Sequence, residues 1–285
     1  YECNTGVGNA LINMYSKCGA STEVFAVFNG VRQDVVSWNA MLSCFSQLGQ
    51  GKKSIELFEQ MQDDDTQADE VTFLTVLSAC SHAGLVEEGI KFFRSMIEDH
   101  FILPSVGHYG CLVDLFGKSG DLDVAEDLIY SMPVRASALI WMTLLGACRN
   151  LSDIKRGEMA LNYISLLEPS NGAPYILLSN IYAMNGRWDD VKMLRDTMDR
   201  QGLKKRPGCS TIEVNDEIHS FFPCDQRHPD STAIYAKLDT LNLQLRKQGY
   251  VPDTRLVLHD VDEEKKKSIL CCHSERLALS FGLIN

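Results

Sequence analysis

The sequence predicts a mostly helical chain: an α-solenoid of helix-hairpin repeats, followed by a smaller α/β segment. Three observations predict it. First, a glycine-ended pentapeptide recurs, as YSKCG ending at Gly19, FSQLG at Gly49, CSHAG at Gly84, FGKSG at Gly120 and YAMNG at Gly186. The intervals are 30, 35, 36 and 66 residues, the last being two repeats with CRNLS ending at Ser152 between them. A fixed period of this size is the signature of a repeat array. Second, apolar residues within each interval recur at helical spacing. Third, beyond Gly202 the composition shifts to LKKRPGCSTIEV, a basic run with Pro207-Gly208 and then a β-favouring T-I-E-V.

Residues 35–69 show the grammar of one unit. Trp38, Met41, Leu42 and Phe45 fall at i, i+3, i+4 and i+7, one face of a helix. Gly49 suits the left-handed residue that closes such a helix. Ile55, Leu57, Phe58 and Met61 mark a second apolar face, and the acidic Asp63–Asp65 leads to the next unit. Leu11, Met14 and Tyr15 repeat the first-helix pattern, and Val113, Leu115 and Phe116 do so more loosely. One hairpin cannot bury both of its faces, whereas stacked hairpins can. Helical units run from about Thr5 to about Gly202. After the boundary, AIYAKLDTLNLQLRKQG reads as an amphipathic helix ending at Gly249 and TRLVLHDV as a short strand. KKKSILCCHSERLALSFG reads as one further helix with His273 and Glu275 near its middle.

Composition narrows the function classes. Of 285 residues, 45% are hydrophobic and 23% charged, ordinary for a globular protein. The longest nearly apolar run, Ala138–Cys148, is far short of the roughly 20 residues that cross a bilayer. The net charge of −11 is uneven. Residues 1–171 hold 11 Lys and Arg against 22 Asp and Glu, whereas residues 172–285 hold 16 against 16. An acidic repeat region argues against gripping a phosphate backbone by bulk electrostatics, so neither DNA nor a membrane is an expected partner. Nucleic-acid recognition would have to rest on local groups. The ten cysteines are scattered with no C-x-x-C, and are expected to be reduced, small core residues. The chain opens on YECNTGVG without an initiator Met or a basic leader, and is expected to be part of a longer protein.

His273-Ser274-Glu275 is H-x-E, the first half of a zinc-deaminase signature whose second half is a downstream C-x-x-C. Alone it is a weak motif, equally a solvent-facing His and Glu on a helix. Cys271 and Cys272 cannot complete it, because adjacent helical residues point about 100° apart. His219, His228 and His259 read as isolated, with structural or surface roles. This chain by itself is therefore not expected to deaminate.

VGNALINMYSKCG, DVVSWNAML, DEVTFLTVLSACSHAGLVEEGIKFF and HYGCLVDLFGKSG resemble plant organellar pentatricopeptide repeats of the subclass with long and short units. ALIWMTLLGACR and YILLSNIYAMNGRWDDVKMLRDTM resemble the extension repeats of that subclass. KKRPGCSTIEV and the segments through HSERLALSFGLIN resemble the start of a DYW deaminase domain, a cytidine-deaminase-like α/β fold. The implied organisation is repeats over 5–137 (units 5–34, 35–69, 70–105 and 106–137), extension repeats over 138–205 and a partial deaminase domain over 206–285. In this family the fifth and last residues of a unit select the base. Carried over, these are Asn9 and Asp34, then Asn39 and Asp69, and Asn with Asp implies a preference for uracil. Leu74 with Ser105 and Gly110 with Ser137 give no clear code. An amide offers both a donor and an acceptor to a base edge, and a carboxylate can orient it.

The resemblance further implies single-stranded RNA as partner and C-to-U editing as the task of the complete protein. Zinc would be its cofactor, with His273 a zinc ligand and Glu275 the catalytic proton shuttle. Other editing factors could supply the missing cysteines. A plant organelle is implied, the mitochondrion ahead of the chloroplast. The rival reading is a helical scaffold that binds a protein partner through its acidic groove. Departures from the family pattern are a first unit one residue short, Ala68 where Pro is common, and Thr211 where Trp is usual.

Overall fold

The computed structural model describes residues 5–204, 208–254, 257–258 and 261–285. The chain forms two compact units, Tyr1–Ser170 and Asn171–Asn285. The first is an α-solenoid. Its hairpins are α1 (Thr5–Lys17) with α2 (Ser21–Gly30), α3 (Val35–Gln47) with α4 (Gly51–Asp63), and α5 (Glu70–Ala83) with α6 (Val86–Glu98). They continue with α7 (Val106–Ser119) and α8 (Leu122–Ser131), then α9 (Ala138–Leu151) and α10 (Ile154–Leu167). First helices pack in one row, α1 on α3, α3 on α5, α5 on α7 and α7 on α9, and each also packs on its own second helix.

The periodic glycines do what the repeat pattern requires. Gly19, Gly49, Gly84, Gly120 and Gly186 all have φ between +68° and +93°, and Ser152, at the place where the pattern lacks glycine, has φ +58°. Each therefore ends a first helix in the left-handed region that glycine enters without strain. At the other end Asp34, Asp69 and Ser105 form capping boxes with Ser37, Thr72 and His108. These satisfy helix N–H groups that have no intrahelical partner.

A second period joins the units. The fourth residue of four successive units is aromatic, and each meets an aromatic ring of the preceding second helix edge-on. The pairs are Phe28–Trp38 at 4.8 Å, Phe58–Phe73 at 5.5 Å, Phe93–Tyr109 at 5.4 Å and Tyr130–Trp141 at 6.0 Å between ring centroids. Such contacts are worth about 0.5–1.5 kcal/mol each beyond their burial, so unit-to-unit packing is specified four times over. Trp38, Met41, Leu42, Phe45, Leu57, Phe58 and Met61 are buried as the periodicity predicts. Met14 is not: it is 45% exposed, and Ile12 fills the core instead. Helix α1 makes its main contacts with α2 and α3.

The second unit opens with a further hairpin, α11 (Ala173–Met184) and α12 (Trp188–Arg200). Strands β1 (Ser210–Val214) and β2 (Glu217–Phe221) then pair antiparallel, with Ile212 opposite His219. Strand β1 is the expected T-I-E-V strand, and β2 was not foreseen. Helix α15 (Ser274–Gly282) closes on the sheet and helix α13 (Ser231–Lys247) packs on α15, around Phe221, Ile234, Leu238, Leu277, Ala278 and Phe281. Gly249 follows α13 with φ +91°.

Four expectations need correction. The single helix expected over KKKSILCCHSERLALSFG is two, α14 (Glu263–Cys271) and α15, broken at Cys272 and His273. Cys272 is bonded to Cys224 and its carbonyl accepts the Cys224 N–H at 2.7 Å, which takes that backbone out of the helical ladder. The same disulfide corrects the expectation that all cysteines are reduced. Cys44, Cys80 and Cys148 are free and buried as expected, and burial pushes the Cys80 and Cys148 thiols up to about 12. His219 and His228 are not isolated: Nδ1 of one lies 3.1 Å from Nε2 of the other, against Phe281. The strand expected in TRLVLHDV is absent at the described Val257 and Leu258; Arg255, Leu256, His259 and Asp260 lie outside the described residues. No helix among the described residues is long and apolar enough to cross a membrane.

Candidate nucleic-acid interface

Asn9 and Asn39 occupy the same place in successive first helices, and each meets the Asp that caps the next first helix. The Asn39 amide donates from Nδ2 to Asp69 Oδ1 at 3.0 Å, and Asn9 Nδ2 donates to Asp34 Oδ1 at 3.4 Å. Each Asp is thus shared between two tasks. Asp69 Oδ1 also accepts the Thr72 N–H at 2.8 Å, and Asp34 Oδ1 accepts the Ser37 N–H at 2.8 Å. A carboxylate only accepts, so the amide nitrogen must face it and the amide orientation follows. Burial would raise both carboxyl pKa values. Hydrogen bonds outweigh it, from Ser37 and Asn9 on Asp34 and from Thr72 and Asn39 on Asp69, and hold both below the usual carboxylate range. Asp34 and Asp69 are therefore ionised acceptors at neutral pH.

The four residues expected to read a base are thus brought together as two pairs, 9 with 34 and 39 with 69. Both Asn side chains are largely buried, and Oδ1 of Asn9 has no hydrogen-bond partner. The two uncoded junctions differ in kind. Leu74 offers no polar atom and Ser105 is engaged by His108 Nδ1 at 2.8 Å, while Gly110 has no side chain to offer Ser137.

His273 and Glu275 sit at the start of α15, with His273 as its N-cap residue. His273 Nδ1 is 3.6 Å from Glu275 Oε2, and the side chains are 52% and 73% exposed. The hydrogen bond from its own backbone N–H, with smaller help from Ser274 and His273, holds the Glu275 carboxyl below the usual range. Cys271 is the nearest free thiol in sequence, and Cys272 is held in the disulfide. Among the described residues no group of three or more His, Cys, Asp or Glu could hold a metal ion. One imidazole with no converging thiolate does not fit a four-coordinate zinc site, so these residues alone do not constitute one.

Family models place both parts. The pentatricopeptide repeat model matches residues 9–34, 71–101 and 107–135, and the related repeat-family model matches 33–82. The E motif matches 151–213, and the DYW family of nucleic acid deaminases matches 249–285. The chain belongs to the pentatricopeptide repeat proteins. It is 45% identical over 289 residues to a chloroplastic pentatricopeptide repeat-containing protein of Arabidopsis thaliana, a match that spans 100% of this chain and 34% of that protein. A mitochondrial one of the same plant is 43% identical over 285 residues, spanning 100% of this chain and 45% of that protein. The chain thus spans less than half the length of these two relatives. Among solved structures it resembles pentatricopeptide repeat protein PPR10 from maize, with a TM-score of 0.60 and 19% identity over 94% of this chain and 39% of that one. At that identity the likeness concerns the fold.

Proposed function

We propose that this pentatricopeptide repeat chain reads single-stranded RNA through Asn9–Asp34 and Asn39–Asp69, in the service of C-to-U editing of organellar RNA. The observation that carries the reading is the Asn39–Asp69 hydrogen bond of 3.0 Å with its counterpart one unit earlier. Two amides, held by carboxylates at one register of a repeat, form a row that addresses successive bases one per unit. The match to a family of nucleic acid deaminases over 249–285 supports the editing half. Deamination replaces the cytosine amino group with oxygen from water and releases ammonia. In the complete domain His273 would be a zinc ligand and Glu275 the group that carries the proton. The residues described here do not complete that zinc site, so no catalytic step is assigned to them alone. The remaining donors would come from elsewhere in the complete protein or from a second editing factor. The proposed division is repeats over 5–137, extension repeats over 138–205 and deaminase-like residues over 206–285.

The test uses the intact protein. Selection from a randomised single-stranded RNA pool should enrich uracil at two adjacent positions. Glu275→Ala should abolish C-to-U conversion of a selected RNA while leaving its binding unchanged. A pool with no enriched sequence refutes RNA reading. Import assays should place the protein in an organelle, the mitochondrion by this proposal, and uptake by chloroplasts alone reverses that assignment. The excess acidity of residues 1–171 favours one other reading, a scaffold for a basic protein partner. Asn39→Thr separates the two: a changed base preference supports RNA reading, whereas unchanged RNA binding with retained capture of a protein supports the scaffold.

A further inference from the structure

The two Asn–Asp pairs are alike in sequence and unlike in geometry. Asn39 is held at both ends of its amide. Nδ2 donates to Asp69 at 3.0 Å, and Oδ1 accepts the hydroxyl of Thr72, the third residue of the following unit, at 2.7 Å. Asn9 is held at one end only, by the 3.4 Å contact to Asp34, and its Oδ1 has no partner. The equivalent third residue there is Ser37. Its hydroxyl donates to the Asp34 carbonyl at 2.8 Å and accepts the Asp34 N–H at 2.7 Å, whereas the Thr72 hydroxyl, which likewise accepts its own cap's N–H from Asp69 at 3.1 Å and lies 2.8 Å from Asp69 Oδ1, reaches the preceding Asn as well. Both hydroxyl residues are fully buried, so the difference lies in whether the hydroxyl also meets the preceding Asn.

We propose that Thr72 is a positioning residue for base selection by the preceding unit: its hydroxyl locks the Asn39 amide in one orientation, which Ser37 does not do for Asn9. The proposal rests on the RNA-reading function above. The chemistry concerns uracil against cytosine. Uracil presents an N3–H donor beside a carbonyl acceptor, and cytosine presents an N3 acceptor beside an amino donor. An amide held at one end only, by a contact of 3.4 Å near the limit of a hydrogen bond, turns more readily to satisfy either edge. One whose oxygen is tied to a hydroxyl and whose nitrogen is tied to a carboxylate keeps one lone pair and one N–H for the base, in fixed order. Such an amide faces cytosine donor to donor and acceptor to acceptor. Unit 35–69 should therefore discriminate uracil from cytosine more sharply than unit 5–34.

The experiment takes an RNA selected by the intact protein and changes uracil to cytosine at one coded base at a time. The readout is the ratio of the two dissociation constants. A net hydrogen bond corresponds to roughly a 3–10-fold effect. Thr72→Val should lower the ratio by about that factor at the base read by unit 35–69 and leave the other base unchanged. Ser37→Thr, which keeps the capping hydroxyl, should raise the ratio at the base read by unit 5–34. A merely structural role for Thr72 would weaken binding to both RNAs equally and leave the ratio where it was, which overturns the proposal. Uracil preferred at both bases with neither variant moving its ratio also overturns it, and leaves the RNA-reading function standing. An RNA pool with no enriched sequence overturns both together.

Discussion

Asp69→Ala and Asp34→Ala form a matched pair that separates capping from amide holding. Both Asp residues cap a first helix through a carboxylate that accepts an N–H at 2.8 Å. Losing an N-cap side chain costs about 1 kcal/mol, and this cost is common to both variants. The second role differs, because Asn39 meets Asp69 at 3.0 Å whereas Asn9 meets Asp34 at 3.4 Å, near the limit of a hydrogen bond. A hydrogen bond to a charged acceptor contributes ~1.5–3 kcal/mol; both Asn residues are 9% exposed, so the difference rests on the two distances and not on burial. Asp69→Ala should thus be the more destabilising by ~1.5–3 kcal/mol. For a unit of this size each kcal/mol moves the thermal midpoint by about 2–4 °C, so the two midpoints should differ by roughly 3–12 °C. Thermal melts followed by far-ultraviolet circular dichroism, repeated at several scan rates, measure the difference. Equal midpoints, or a lower one for Asp34→Ala, would refute the claim that the Asn39–Asp69 bond contributes beyond the cap.

Three further outcomes follow from the packing. Gly51→Ala places a methyl 2.8 Å from the Ala79 backbone carbonyl and 2.6 Å from the Ala83 methyl, so it should destabilise by about 1–3 kcal/mol. Gly146→Ala, inside α9 with open space around it, should instead stabilise by about 0.5–1 kcal/mol; urea titration of both decides. Asp34 and Asp69 have folded pKa values below the ordinary Asp value of 3.8, so their stabilisation is complete above that pH and is lost as pH falls below it. The melting midpoint should not vary with pH through the titration of these two groups near neutrality and should fall in that acid window, and the Asp34→Ala, Asp69→Ala double variant should lose less there. Native alkylation near pH 8 followed by peptide mapping should label the exposed Cys18 and Cys209 and spare Cys44, Cys80 and Cys148, with Cys224 and Cys272 labelled only after reduction.

The period of 30–36 residues, the apolar helical faces and the glycine at each first-helix end determine the solenoid from the sequence alone. These are local properties: a 3.6-residue stripe and a left-handed closing residue act within one hairpin, whatever packs on it. The recurrent aromatic at the fourth place of four successive units was legible too, as Trp38, Phe73, Tyr109 and Trp141, but its partners lie on preceding second helices, so its meaning emerges only from packing. The break before α15 depends on Cys224 meeting Cys272 across 48 residues, and the His219–His228 contact depends on a loop closing over Phe281. Sequence spacing carries no information about such meetings, because the intervening chain sets them. The same holds at the candidate interface. Asn9, Asp34, Asn39 and Asp69 were identifiable by position, and two identical letter pairs predicted two equal readers. The tertiary structure made them unequal, because the Thr72 hydroxyl reaches the Asn39 oxygen as well as its own cap, whereas the Ser37 hydroxyl meets its own cap alone.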